Sequence, residues 1–167
     1  MTTTGEEVEV IMFLDIFPID QPDHWLVTWG FGGEDFEALR RYADEVSYPA
    51  RATIFSEGDP SDGMYLVLEG MVLIIALDDE GKERTLSIVT EGQSFGELGL
   101  LIGGPRHATV AAGLDVRLLK ITPDKLAQLE EEKPALVMKM YKMLAQTLAE
   151  QWMRSGPWVG RQHRSTD

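Results

Sequence analysis

FGELGLLIGGPRHATV, residues 95–110, is the stretch of this sequence that says most about its fold. A Gly-Glu pair opens a short apolar helical turn, a Gly-Gly-Pro break follows, and an arginine then opens a strand. Because the N–H groups at a helix start carry partial positive charge and glycine lets an anion approach closely, this pattern predicts an anion site at Gly96. Arg106 would close on the same anion through charge-assisted hydrogen bonds, each worth about 1.5–3 kcal/mol.

Glu97 adds a second kind of chemistry to this stretch. An ionised carboxylate only accepts hydrogen bonds, so Glu97 is unsuited to a phosphate. It suits a pair of hydroxyl groups, such as a sugar edge, or it orients Arg106. An anion site and a hydroxyl site in one short loop together indicate a nucleotide monophosphate.

The whole stretch resembles the phosphate-binding cassette of cyclic nucleotide-binding domains, the β-roll modules of cAMP- and cGMP-regulated kinases, channels and bacterial transcription factors. The resemblance rests on Phe-Gly-Glu-Leu-x-Leu followed, after a short insert, by Pro-Arg-x-Ala-Thr-Val. It extends upstream to FSEGDP (55–60), MYLVLEG (64–70) and EGQS (91–94), which are similar to the corners of the β-roll, and it covers roughly residues 34–153.

The resemblance implies a role for each residue of the cassette. Glu97 would accept a hydrogen bond from the ribose 2′-hydroxyl group. The backbone amides around Gly96, Glu97 and Leu98, together with that of Ala108, would face the phosphate, and Arg106 would pair with it. The implied ligand is a 3′,5′-cyclic nucleotide.

His107 departs from the family pattern and bears on the choice of base. Family members carry a small residue there, often alanine, serine or threonine, and a hydroxyl at that position favours guanine. Histidine is larger and either donates or accepts, so it touches the base or phosphate and confers pH sensitivity, or it points to solvent. Because no Ser or Thr follows Arg106, the sequence favours cAMP, with cGMP as the other candidate.

The periodicity predicts a mainly β fold, an antiparallel roll or barrel, with an N-terminal helix and a C-terminal helical pair as flanking helices. The resemblance implies that it is an antiparallel β-roll, of the double-stranded β-helix or jelly-roll type. We expect an irregular extension over residues 1–33, the binding domain over 34–154 and a tail over 155–167. The predicted helices are Glu34–Glu45, Lys125–Glu132 and Pro134 to about Arg154. The predicted strands are Val46–Ala50, Arg51–Phe55, Met64–Glu69, Met71–Leu77, Glu83–Val89, Arg106–Ala112 and Val116–Ile121.

The last predicted helix carries a wide apolar stripe, formed by Leu136, Val137, Met140, Tyr141, Met143, Leu144 and Leu148. Such a stripe packs either on the roll or on a second copy of the helix. By residue type, Tyr141 and Trp152 are candidates to cap the base; the alternative is that both lie in the core or in a dimer seam. In the extension, Trp25 and Trp29 pack on the roll or serve a partner surface.

Composition limits the classes of function. The net charge is −13, from 15 basic and 28 acidic residues, which argues against DNA binding by this chain alone. Cysteine is absent, which excludes disulfides, thiol catalysis and Cys-ligated zinc and fits a cytoplasmic location. The apolar run Val8–Phe17 is far below the roughly 20 residues that span a bilayer.

The sequence favours a non-enzymatic sensor. His24, His107 and His163 are too scattered for a paired-histidine metal site, and no serine nucleophile elbow or triphosphate loop is present. We therefore expect no metal and no cofactor besides the nucleotide ligand.

Occupancy would be relayed through the C-terminal helices to an attached effector or a partner, with a homodimer or partner protein bound by the last helix. About a dozen residues follow Arg154, too few for a helix-turn-helix, so the chain is a stand-alone sensor or a domain of a larger protein. The rival hypothesis is a degenerate module of the same fold that binds proteins and no ligand.

Overall fold

A computed structural model describes residues 30–154, except for the side chains of 151–154. The helices are α1 (Gly33–Tyr42), α2 (Glu97–Ile102), α3 (Pro123–Glu132) and α4 (Pro134–Arg154). The strands are β1 (Asp44–Tyr48), β2 (Thr53–Phe55), β3 (Met64–Glu69), β4 (Met71–Leu77), β5 (Glu83–Thr90), β6 (Ser94–Phe95), β7 (Thr109–Ala112) and β8 (Val116–Ile121). Within this part of the chain, no helix combines the length and apolar character needed to cross a bilayer.

The strands form two four-stranded antiparallel sheets, with strand orders β1-β8-β3-β6 and β2-β7-β4-β5. Both faces of β3 are covered, because Met64 to Val67 are all buried although successive side chains of a strand face opposite sides of the sheet. Tyr65 and Val67 pack between the sheets, while Met64 and Leu66 pack under the helices. The predicted antiparallel β-roll with flanking helices is confirmed.

Two apolar cores follow from this arrangement. The inter-sheet core contains Tyr65, Val67, Val72, Val89, Phe95, Val110, Ala112, Val116 and Leu118. The helix-side core joins the first sheet to α1, α3 and α4 and contains Phe31, Leu39, Met64, Leu66, Leu119, Ile121, Leu126, Leu129, Leu136, Val137, Met140, Met143 and Leu144. The apolar stripe of α4 therefore packs on the roll.

Tyr141 is an exception to that packing. Of the places predicted for Tyr141, the core is excluded, since 39% of its surface is exposed, while the dimer seam and contact with the base stay predictions. Its neighbours Met140 and Met143 are buried at 2% and 5% exposure, which places Tyr141 at the edge of the apolar stripe.

The predicted starts of the last two helices agree with the structure. Thr122 caps α3 by accepting a hydrogen bond from the Lys125 amide at 3.4 Å, and Pro134 begins α4.

Several predicted boundaries are wrong, and the largest error concerns Arg106. It does not open β7, which begins at Thr109. Its amide donates to Asp59 O at 2.8 Å and its carbonyl accepts from the Gly58 amide at 2.9 Å, so it is tied to the β2–β3 loop.

The remaining errors lie where turns interrupt the strands. The first predicted helix ends at Tyr42 because β1 already begins at Asp44, and Arg51 lies in a turn with φ of 71°. The two-residue strand β6 was not predicted, since two residues are too short to show alternation. Residues 1–29 and 155–167 lie outside the described residues, so the predicted extension, tail and tryptophan packing stay predictions.

Candidate functional site

A cavity of about 150 Å³ lies where α2 meets the segment that leads into β7. All six residues of the predicted cassette site line it: Gly96, Glu97, Leu98, Arg106, His107 and Ala108. The two ends of the cassette are thus brought together around one space, although the apolar turn and the Gly-Gly-Pro break separate them in sequence.

Gly96 fixes the start of α2 and the seat of Arg106. It precedes the helix with φ of 76°, a left-handed conformation that favours glycine. A Cβ atom at this position would lie 2.7 Å from Nη1 of Arg106. Glycine is therefore required here for two reasons, the backbone conformation and the close approach of the guanidinium group.

Arg106 is a buried cation, with only 4% of its surface exposed. Nη1 donates to Gly96 O at 3.1 Å, while Nη2 donates to Gly63 O at 2.7 Å and to Asp62 Oδ1 at 2.9 Å. The guanidinium carbon lies 4.0 Å from the centroid of the Phe55 ring, in cation–π geometry. These contacts hold the guanidinium group in place before any ligand arrives.

Nε of Arg106 is buried and has no hydrogen-bond partner. A buried donor of this kind is costly unless an acceptor reaches it, and an anion supplies one. Among the described residues, the side-chain hydrogen bonds of Arg106 go to Asp62, Gly63 and Gly96. The residue that orients the arginine is therefore Asp62 rather than Glu97.

Glu97 is equally buried, at 6% exposure, and its Oε2 atom has no partner. Burial raises the pKa of the Glu97 carboxyl group, with the backbone N–H of Glu97 acting in the opposite direction. The unpaired Oε2 atom of Glu97 can therefore accept a hydrogen bond from a hydroxyl group that enters the cavity.

Unpaired buried polar atoms concentrate at this cavity. In the described part of the chain, the buried side-chain nitrogen and oxygen atoms without a partner belong to Ser61, Ser94, Glu97, Arg106 and Arg117. The first four of these residues line the cavity, whereas Nε of Arg117 lies 3.4 Å from a carboxylate oxygen of Glu45. Because native structures leave few such atoms unpaired, water or a polar ligand in the cavity would complete these hydrogen bonds.

His107 and Leu98 lie where the cavity meets solvent. His107 is exposed while it lines the cavity, so contact with a ligand and exposure to solvent both stay open for it. Leu98 is 41% exposed, and Ala108 is half-buried.

Of the two residues predicted to cap the base, Tyr141 is absent from the lining that the described residues form. The Tyr141 hydroxyl donates to Glu130 Oε1 at 2.6 Å, and this hydrogen bond raises the pKa of Tyr141 to about 12. Trp152 belongs to α4, but its side chain lies outside the described part of the structure.

Sequence analysis missed Phe55, Ser61, Asp62, Ser94 and Lys120. Phe55 lies under the guanidinium group, and Asp62 binds both Arg106 and Lys120. Phe55 and Ser94 lie in the β-roll corner motifs quoted above, but those motifs gave them no role in the site. Ser61, Asp62 and Lys120 come from the loop after β2 and from β8, so no local motif joins them to the cassette. The one indication in the sequence was Lys120, a cation within the largely apolar strand β8.

The fold and cavity define a β-roll module whose cavity has the polar groups to suit a small anionic ligand bearing hydroxyl groups. Comparison with known proteins agrees, since residues 45–133 match the family described as the cyclic nucleotide-binding domain. The chain belongs to this family.

Three relatives illustrate the likeness. A CRP-like cAMP-activated global transcriptional regulator of Mycobacterium tuberculosis is 30% identical over 66% of this chain and 50% of its own length. A cyclic nucleotide-binding domain from Methylobacillus flagellatus superposes with a TM-score of 0.69 at 30% identity, over 75% of this chain and 70% of that one. The catabolite activator protein of Thermus thermophilus gives a TM-score of 0.66 at 30% identity, over 80% and 61% respectively. The chain spans about half the length of the curated relatives it matches.

Proposed function

We propose that this protein is a sensor that binds a 3′,5′-cyclic nucleotide in the cassette cavity and performs no chemistry on it. The observation that carries the proposal is the pair of buried, unpaired polar atoms, Arg106 Nε and Glu97 Oε2, in one cavity. The first is a donor suited to a phosphate oxygen, and the second is an acceptor suited to the ribose 2′-hydroxyl.

The other cassette residues complete the proposed contacts. The backbone amides of Gly96, Glu97, Leu98 and Ala108 would face the phosphate, and His107 would lie beside the phosphate or the base. cAMP is the favoured ligand over cGMP, because no hydroxyl residue follows Arg106 and because the Mycobacterium tuberculosis relative is described as cAMP-activated. The cysteine-free composition supports action in the reducing cytoplasm.

The relay of occupancy would pass through α2. Leu98 lines the cavity, while Leu100 of the same helix packs against the helix-side core that contains α3 and α4. A ligand that repositions α2 therefore changes the packing surface offered to the C-terminal helices. It shifts their arrangement only as far as its affinity differs between the two packings. We propose that α4 passes this change to a homodimer partner, another protein or an attached effector.

The test is thermal unfolding with cAMP, cGMP or 5′-AMP, compared between the wild type, Arg106→Lys and the control Arg84→Lys. Arg84 is a suitable control because its side chain is 71% exposed on β5. A ligand at about 100 times its Kd adds roughly 2.7 kcal/mol, and we expect a cyclic nucleotide, but not 5′-AMP, to raise the Tm of the wild type and the control by several degrees.

Each variant is compared with its own ligand-free sample, because a change at buried Arg106 also alters intrinsic stability. Arg106→Lys should lose the ligand-induced shift, since lysine cannot reproduce the fork of donors. A shift retained in Arg106→Lys would overturn the site. No shift with any nucleotide in the wild type would overturn the sensor and favour a protein-binding module of the same fold.

A further inference from the structure

Lys120 is an unusual residue for its place in β8. Val116 and Leu118 of this strand belong to the inter-sheet core, and the two-residue period of a strand places Lys120 on the same face. It stands directly opposite Tyr65 in the β3–β8 register, and Nζ lies 5.7 Å from the Tyr65 ring centroid. Its side chain is only 21% exposed. An ammonium group at such a position needs a counter-ion.

Asp62 is that counter-ion, and it forms ion pairs with both Lys120 and Arg106. Lys120 Nζ donates to Asp62 Oδ2 at 2.5 Å, while Arg106 Nη2 donates to Asp62 Oδ1 at 2.9 Å. Partial burial acts to raise the pKa of Asp62, but the hydrogen bonds and charges of Lys120 and Arg106 outweigh it and hold the pKa below its usual range. Asp62 is therefore ionised at neutral pH, and one carboxylate bridges the cassette arginine to β8.

The charge balance of this bridge affects any anion that binds Arg106. Arg106 and Asp62 alone sum to zero, so the carboxylate would offset the guanidinium charge that attracts a phosphate. With Lys120 included, the three side chains sum to +1 and the carboxylate is shared. The side chains of Arg106 and Lys120 are 2% and 21% exposed, so their charges are screened less than surface charges, whereas the Asp62 side chain is 59% exposed.

We propose that Lys120 is a positioning residue of the nucleotide site, which binds Asp62 and so preserves the positive charge of Arg106 for the ligand phosphate. This inference rests on the proposed function, because it concerns the affinity of the same cavity. Lys120 acts through Asp62 and does not itself touch the ligand.

A double-mutant cycle tests the proposal by isothermal titration with cAMP. Lys120→Met keeps the aliphatic stem and removes the charge, and we expect a loss of affinity of about tenfold. Asp62→Asn keeps an oxygen acceptor for Arg106 and should bind cAMP at least as tightly as the wild type. In the Asp62→Asn background, Lys120→Met should change the affinity by less than about threefold, because the charge that Lys120 offsets is gone.

Two controls separate this role from a structural one. Lys120→Arg should restore binding to near the wild-type level, and Lys82→Met, at an exposed lysine beside β5, should leave it unchanged. An equal loss with and without Asp62 would overturn the proposal, since a general effect on the fold or on the overall charge would then suffice.

The two hypotheses fail in different ways. Unchanged affinity in Lys120→Met, with cAMP binding intact in the wild type, would overturn the role of Lys120 alone. Absence of cAMP and cGMP binding in the wild type would overturn the proposed function, and this inference with it.

Discussion

The unpaired carboxylate of Glu97 should reduce the stability of the ligand-free protein, and removing its charge should therefore stabilise it. Glu97 is 6% exposed and Oε2 has no partner, so the ionised form is buried without full compensation. An unsatisfied buried polar group costs about 1–3 kcal/mol, and a charged one costs more. Glu97→Gln keeps the shape and removes the charge, so we expect a gain of about 1 kcal/mol at pH 7, or roughly 3 °C in Tm.

The pH dependence of this gain follows from the raised pKa of Glu97. In the window between the unfolded and folded pKa values, the native protein binds more protons than the unfolded chain, so stability falls as the pH rises through it. Below both values Glu97 is protonated in both states. The advantage of Glu97→Gln should therefore be largest at pH 7 and should shrink toward pH 4.

Thermal unfolding of the ligand-free wild type, Glu97→Gln and Glu131→Gln across this pH range measures the effect. Glu131 is the matched control, since it is exposed on α3. The same substitution should weaken cyclic nucleotide binding about tenfold, because it replaces a charge-assisted hydrogen bond by a neutral one. A lower Tm for Glu97→Gln at pH 7, or an advantage that grows toward pH 4, would refute this reasoning.

Two further substitutions test the site and the core. Gly96→Ala places a Cβ on a residue in the left-handed conformation, which costs about 1–2 kcal/mol, and displaces Arg106. Its control is Gly81→Ala, because Gly81 has the same φ of 76° and open space around it. Both variants should lower stability, but only Gly96→Ala should weaken ligand binding in a titration. Leu118→Ala, at a fully buried position between the sheets, should cost about 2–5 kcal/mol in chemical denaturation, whereas Leu77→Ala, at a position 60% exposed, should stay within about 0.5 kcal/mol.

The fold and the cassette were predictable because their signals are local. Gly96, Glu97 and Arg106 occur in one continuous stretch, and β3, β4 and β8 were predicted with the bounds that the structure shows. The errors arose where pairing with distant residues decides the conformation. The backbone of Arg106 is held by Gly58 and Asp59, so its place before β7 depends on a loop that lies far away in the sequence.

β8 shows why the second half of the charge network could not be predicted. The strand reads VRLLKI, so each of its faces carries two apolar residues and one cation, and alternation alone does not tell which cation turns inward. The register with β3 decides this, because it places Lys120 opposite Tyr65 at the inter-sheet core, while Arg117 lies 42% exposed beside Glu45 and Glu69. The partly buried Lys120 and the buried Arg106 then share the carboxylate of Asp62. Since an isolated cation would be costly at either place, the network exists only once both sheets are assembled, and the charge state of the site is a property of the tertiary fold.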